Sequence, residues 1–128
     1  MFDPGTRINA GQLTLEVKNS KTGKSKEFPP LNCLIWEESG KMYIHCLEFD
    51  LISDGNNEAN AINNLIELIV EQTRLADEES IQLFHPAPKE YWDKLFEIHK
   101  NRLTQAFLES KPKSIKDIRV SEHHLTYA

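Results

Sequence analysis

The stretch from Cys33 to Thr73 restricts this chain more than any other. Two apolar runs, Cys33–Glu37 and Met42–Phe49, flank the polar link Glu38-Ser39-Gly40-Lys41, and a helical stripe follows them. A four-residue link is too short for a crossover, so the runs must pair antiparallel as a hairpin. The first run is apolar on both faces, with Cys33 and Ile35 on one and Leu34 and Trp36 on the other, as in a strand covered on both sides. The second, with Tyr43, Ile44, Cys46, Leu47 and Phe49, has the composition of a central strand. Ile62, Leu65, Ile66, Ile69 and Thr73 then recur at helical spacing, which lays one apolar stripe on a sheet. Asn57 is the expected cap of this helix, with Asn56 the competing choice, and the helix should fade between Asp77 and Ser80.

The flanks read less sharply. Residues up to Gly11 are expected to form an irregular arm, with Asp3-Pro4-Gly5 a turn. From Gln12 to Lys18 the chain alternates, placing Leu13, Leu15 and Val17 on one face of a strand. Asn19–Gly23 is a turn, and Lys24–Phe28 returns as the second arm of a hairpin until Pro29-Pro30 removes two backbone donors. Beyond Asp50, Leu51-Ile52-Ser53 is expected to continue the sheet past a bulge and to end at Asp54-Gly55-Asn56. Ile81–Phe84 is either an edge strand or a plug, broken by His85-Pro86-Ala87-Pro88. A second helix runs from Pro88, with Trp92, Leu95, Phe96, His99, Leu103, Ala106 and Phe107 at helical spacing, and stops before Lys111-Pro112-Lys113. Ile115–Val120 is expected to add a strand, and His123–Ala128 to fray.

These elements define an α+β fold: a small, mostly antiparallel sheet with an N-terminal hairpin, packed by one amphipathic helix, plus a second long C-terminal helix. With 128 residues the chain suits a single domain, 12–80 forming the sheet and first helix and 88–110 an extension. Fifteen basic against twenty acidic side chains leave a net charge of -5, which disfavours a broad phosphate-tracking surface but suits a basic protein partner. Two cysteines, Cys33 and Cys46, cannot staple a disulfide scaffold, and the first residues contain no apolar signal core; both facts point to a reducing cytoplasm. No apolar run approaches the roughly twenty residues that span a bilayer, so membrane insertion is not expected.

The run from Trp36 to Leu75 resembles the HicB-like antitoxin family. The resemblance rests on the turn Glu38-Ser39-Gly40-Lys41, the segment Tyr43-Ile44-His45-Cys46-Leu47-Glu48-Phe49-Asp50, and the helix start Gly55-Asn56-Asn57-Glu58-Ala59-Asn60-Ala61. Gly55 and Ala61 match the family's helix start, whereas Asn56, Asn57 and Asn60 stand where acidic, Thr and Glu residues are usual. The resemblance implies a partial ribonuclease-H-like sheet of three strands, with a helix on one face and a further strand, lacking that class's catalytic carboxylates. It also implies a non-enzymatic role, the capping of a small basic RNA-cleaving toxin of the HicA kind. The family's separate DNA-binding module has no counterpart after Pro86, where one long helix stands without a second short helix at turn distance, so DNA binding is not expected.

Among chemistry-bearing residues, Glu48, Asp50 and Asp54 are the candidates for a hard cation, because carboxylates two apart on a strand share a face. Glu67 and Glu71 could extend the set, but they equally form the solvated edge of an amphipathic helix. Cys33, His45 and Cys46 offer soft ligands, yet His45 and Cys46 are adjacent on a strand and point to opposite faces, so at most one thiol meets its cross-strand partner. His99 lies on the stripe of the second helix and reads as a core or interface histidine, and His123-His124 belongs to the tail. No nucleophile has an evident base and orienting partner. Basic residues cluster at Lys18–Lys26 and Lys111–Arg119 without the interleaved aromatics of an RNA platform. Catalytic residues, cofactor and metal are therefore all assigned as none. Trp92, Phe96 and Phe107 are the candidates for contact with a partner, including a second copy of the chain as a homodimer. The alternatives kept open are an orphan dimeric scaffold and a metal-dependent hydrolase or nuclease using Glu48, Asp50 and Asp54.

Overall fold

The computed structural model describes residues 5–18, 22–109 and 126–127. Seven strands and two helices follow one another among these residues: β1 (Ile8–Leu13), β2 (Glu16–Lys18), β3 (Ser25–Glu27), β4 (Leu31–Glu38), β5 (Lys41–Cys46), β6 (Leu51–Gly55), α1 (Glu58–Glu79), α2 (Lys89–Leu108) and β7 (Thr126–Tyr127). The main sheet has the order β6-β5-β4-β1-β7, antiparallel except where β7 runs parallel to β1, and β2 and β3 form a separate ribbon. The α+β fold expected from the sequence is present.

The central hairpin closes as predicted. Glu38 and Lys41 are register partners, and Ser39 and Gly40 both take positive φ (52° and 78°), the two-residue turn whose twist matches that of the strands it joins. Successive residues of β4 bury on opposite faces, and each face has its own cover. Leu31, Cys33 and Ile35, with Leu13, Ile44 and Cys46, pack against Ala61, Ile62, Leu65 and Ile69 of α1. Ala10, Leu34 and Trp36 pack with Leu47, Ala87 and Leu95, with Tyr91, Trp92 and Ile98 of α2 partly buried beside them. The two helices thus lie on opposite faces of one sheet, which is why β4 is apolar on both.

Helix α1 starts where the sequence placed it. Asn57 sits in extended backbone (φ -147°) and its Oδ1 accepts from the Asn60 N–H at 2.9 Å. Ser53 of β6 ties the first turn to the sheet by donating its hydroxyl to the Ala61 carbonyl at 2.6 Å. A Cβ on Gly55 would lie 2.5 Å from the Ala61 nitrogen, so only glycine lets β6 and α1 approach this closely. The helix ends at Ser80 in the left-handed region.

Four expectations are corrected. The arm expected to be irregular up to Gly11 is a strand from Ile8 on: Ile8–Leu13 is a full strand of the main sheet, paired with β4, and Ala10 and Leu13 are fully buried, whereas the Asp3-Pro4 part of the expected turn lies outside the described residues. The segment Asn9-Ala10-Gly11 has poor strand propensity, and pairing with a two-sided central strand overrides it. The alternation from Gln12 to Lys18 spans two strands, not one, since the chain leaves the ladder at Thr14-Leu15. Its apolar face is nevertheless right, because Leu15 and Val17 pack on the same cluster as Leu13.

The second-run strand stops at Cys46, and Leu51–Gly55 is no continuation past a bulge but a new antiparallel edge strand. Leu47–Asp50 makes the reversal, with Asp50 at φ 53°. The turn is held from outside: Leu47 N–H donates to the Asn32 carbonyl, and the Ala87 and His85 N–H groups donate to the carbonyls of Leu47 and Glu48 at 2.7 and 3.1 Å. Finally, Thr126–Tyr127 pairs with Gln12 and Leu13 instead of fraying. Ile115–Val120, His123-His124 and the Lys111–Arg119 cluster lie outside the described residues. Ile81–Phe84 serves as the plug, not the strand: Phe84 meets the rings of Phe28 and Phe49 at centroid distances of 6.0 and 5.2 Å.

Candidate binding surface

The three carboxylates proposed for a cation are each engaged elsewhere. Glu48 holds Asn32 with both oxygens, accepting from its backbone N–H at 2.8 Å and its side-chain amide at 2.9 Å, and thereby fixes the β5–β6 turn against the start of β4. Burial pushes the Glu48 carboxyl above the ordinary glutamate range, against the pull of these two donors. Asp50 Oδ1 stands at hydrogen-bond distance, 2.7 Å, from His45 Nε2. Asp54 lies at the far end of β6 and pairs with Lys41 at 3.3 Å. About 3.3 Å of rise per strand residue separates Asp54 from the turn by roughly 10 Å or more. Among the described residues no three His, Cys, Asp or Glu side chains are grouped as metal ligands would be.

His45 and Cys46 point to opposite faces as expected. The His45 ring is buried under Tyr91 of α2, edge to face at 4.8 Å, and its Nδ1 has no hydrogen-bond partner. Cys46 lies on the α1 face directly opposite Cys33, and both thiols are free and buried. A polar groove of ≈ 330 Å³ opens at the start of α1, lined by Lys41, Asp54, Gly55 and the asparagines 56, 60, 63 and 64. Its one cation, Lys41, is already paired with Asp54.

Among the described residues, the most exposed large apolar side chains are on α2. Its N-terminal half is anchored: Leu95 is buried, Tyr91 and Ile98 pack toward the sheet, and Trp92 donates its indole N–H to the Ala87 carbonyl at 3.1 Å. From Lys100 to Leu108 every residue except Ala106 is exposed. Phe96, Leu103 and Phe107 recur at i, i+7 and i+11 on one side of this helix and are 61%, 64% and 88% exposed. They form an apolar stripe of about 16 Å along the helix axis. Two of the three residues expected to meet a partner, Phe96 and Phe107, are therefore on it, whereas Trp92 is half-buried against the cluster between α2 and the sheet. Leu103 is the member that helical spacing placed on the stripe without its being singled out.

The charge is distributed unevenly. Helix α1 carries six carboxylates against one guanidinium, Arg74, so it alone accounts for a net charge equal to the whole chain's -5. Arg74 pairs with Glu71 and Glu78 along the exposed side, and its bond to Glu71 holds that carboxyl below the usual range. Helix α2 carries four cations and three carboxylates and is nearly neutral. Among the described residues, no helix is long and apolar enough to cross a membrane.

The chain is thus a small α+β domain with one acidic helix, one nearly neutral helix bearing an uncovered apolar stripe, and no group of three or more metal-ligating side chains among the described residues. Comparison with protein-family models, with curated proteins and with solved structures finds no match.

Proposed function

We propose that this chain is a non-enzymatic protein-binding domain of the HicB-like kind, working by burying surface on a protein partner. The observation that carries the reading is the exposed stripe Phe96, Leu103 and Phe107 on a helix whose other side is anchored to the sheet. Apolar area of this kind is removed from water by association, at roughly 25 cal/mol per Å². The order of three antiparallel strands followed by a helix on one face, over Leu31–Glu79, supports the family reading. The partner that the resemblance implies, a small basic toxin of the HicA kind, would find its opposite charge on α1.

A second reading, an orphan homodimeric scaffold, is favoured by the near neutrality of α2, since two copies can approach along that helix without net repulsion. The hydrolase reading has no comparable support, because Glu48, Asp50 and Asp54 are bound to Asn32, His45 and Lys41 respectively.

The test is retention of the product of the adjacent reading frame by the tagged, co-expressed chain, alongside light scattering of the chain alone. The triple variant Phe96→Ser, Leu103→Ser, Phe107→Ser should lose the partner or the dimer while keeping its melting temperature. A wild-type chain that stays monomeric and retains no small basic protein removes the reading.

A further inference from the structure

Cys33 and Cys46 are register partners on β4 and β5. The neighbouring pair Asn32 and Leu47 carries a ladder bond, Leu47 N–H to the Asn32 carbonyl at 2.9 Å. Bonded and unbonded pairs alternate along an antiparallel ladder, so Cys33 and Cys46 occupy an unbonded position. There the Cα atoms stand about 4.5 Å apart and the side chains come closest, within the range that a disulfide tolerates. On their other sides, Cys33 faces Gly11 across β1, which has no side chain, and Cys46 faces Leu51 across β6. Both side chains project from the same face of the sheet, where the Cys33 thiol donates to the Leu31 carbonyl at 3.9 Å. The Cys46 thiol as hydrogen-bond partner, and then burial, push the Cys33 thiol well above the ordinary range. Both residues are essentially sealed, at 1% and 0% exposure, beneath the cluster built on α1.

We propose that Cys33 and Cys46 form a cross-strand dithiol site that closes to a disulfide when the chain folds in the presence of a small-molecule disulfide, and that the folded chain excludes this oxidant. One cysteine, as its thiolate, attacks a sulfur of the oxidant, forming a mixed disulfide and releasing half of the oxidant as a thiolate. The second cysteine thiolate attacks the protein sulfur of that mixed disulfide, closing the Cys33–Cys46 bond and releasing the other half. The protein loses two protons and two electrons, and the oxidant becomes two thiols. Attack requires a thiolate in contact with solvent, which the unfolded chain supplies and the packed face beneath α1 does not. The site would therefore record the redox conditions under which the chain folded.

The experiment is to refold the full chain from denaturant with oxidised glutathione, and separately to add the same oxidant to chain already folded under reduction. The refolded chain should be monomeric, keep the circular dichroism spectrum of the reduced protein, lose two hydrogens in intact mass and show no free thiol in denaturant. The pre-folded chain should keep both thiols over the same period. Cys33→Ala refolded alongside can end only with Cys46 free, bound to glutathione or linked to a second chain, never in a bond within the chain. The proposal is overturned if wild type reaches that same kind of end state, cross-links only between chains, loses its native spectrum on closing the bond, or is oxidised equally fast when already folded.

Discussion

Replacing Gly55 with alanine tests the close approach of β6 to the first turn of α1. Its φ lies outside the left-handed region, so the substitution carries no backbone penalty of its own and removes conformational freedom from the unfolded chain, a gain of about 0.4–1 kcal/mol. Against this, the new Cβ would stand 2.5 Å from the Ala61 nitrogen, 2.8 Å from the Asn60 carbonyl carbon and 2.8 Å from the Asn60 Cβ. Two of these atoms are backbone of the first turn of α1 and cannot swing aside. That turn is pinned by the Ala61 N–H to the Asn57 carbonyl at 3.1 Å and by the Ser53 hydroxyl to the Ala61 carbonyl at 2.6 Å. Restoring van der Waals distance means moving β6 and α1 apart by most of an ångström, at the ~1–3 kcal/mol typical of overpacking. The net expectation is a loss of about 1–2 kcal/mol, or roughly 3–8 °C in Tm for a chain of this size. Thermal unfolding by circular dichroism reads it. Gly40→Ala is the control: it has φ 78° but open space around its Cβ, so any loss there comes from backbone strain alone. An unchanged or raised Tm for Gly55→Ala would refute the argument from close approach.

Other substitutions separate the elements. Asn57→Ala should cost about 1 kcal/mol, because the Asn60 N–H loses its acceptor, and chemical denaturation should register it with an unchanged m-value. Leu95→Ala should cost about 2–4 kcal/mol whereas Phe107→Ala stays within about 0.5 kcal/mol, since the first empties the core under α2 and the second removes a ring already in water; equal losses would show that the exposed stripe is covered. Glu48 should make an unusual contribution to pH dependence. Its carboxyl is raised in the folded chain, so the stabilising term is fully present below the ordinary glutamate value and is lost as the pH rises through the folded value. Urea unfolding from pH 4 to 7 should accordingly favour wild type over Glu48→Gln increasingly toward the acid end, and the opposite slope would contradict the dominance of burial over the two Asn32 donors.

Local chemistry and periodicity determined the central hairpin, the Asn57 cap and both helices. A glycine in a four-residue polar link, an asparagine before a helical stripe and a double proline each admit few backbone solutions, and all act over a handful of residues. The opposite orientation of His45 and Cys46 was legible for the same reason, as strand period alone sets it. Of the candidate binding surface, the spacing of Phe96, Leu103 and Phe107 was legible but its exposure was not. A helical stripe reads identically whether the sheet or water receives it.

Tertiary structure decided the rest. Ile8–Leu13 becomes a strand because β4 offers a ladder and a two-sided apolar surface, not because Asn9-Ala10-Gly11 favours one. The chain reverses at Leu47–Asp50 because Asn32, His85 and Ala87, remote in sequence, supply its hydrogen bonds. The same remote partners spend Glu48 on Asn32, while Asp54 goes to Lys41 at the far end of β6, which dismantles a cation site that spacing alone made plausible. Sequence period thus set which residues share a face of each element; which face was buried, and by what, was fixed only when the sheet placed α1 on one side and α2 on the other.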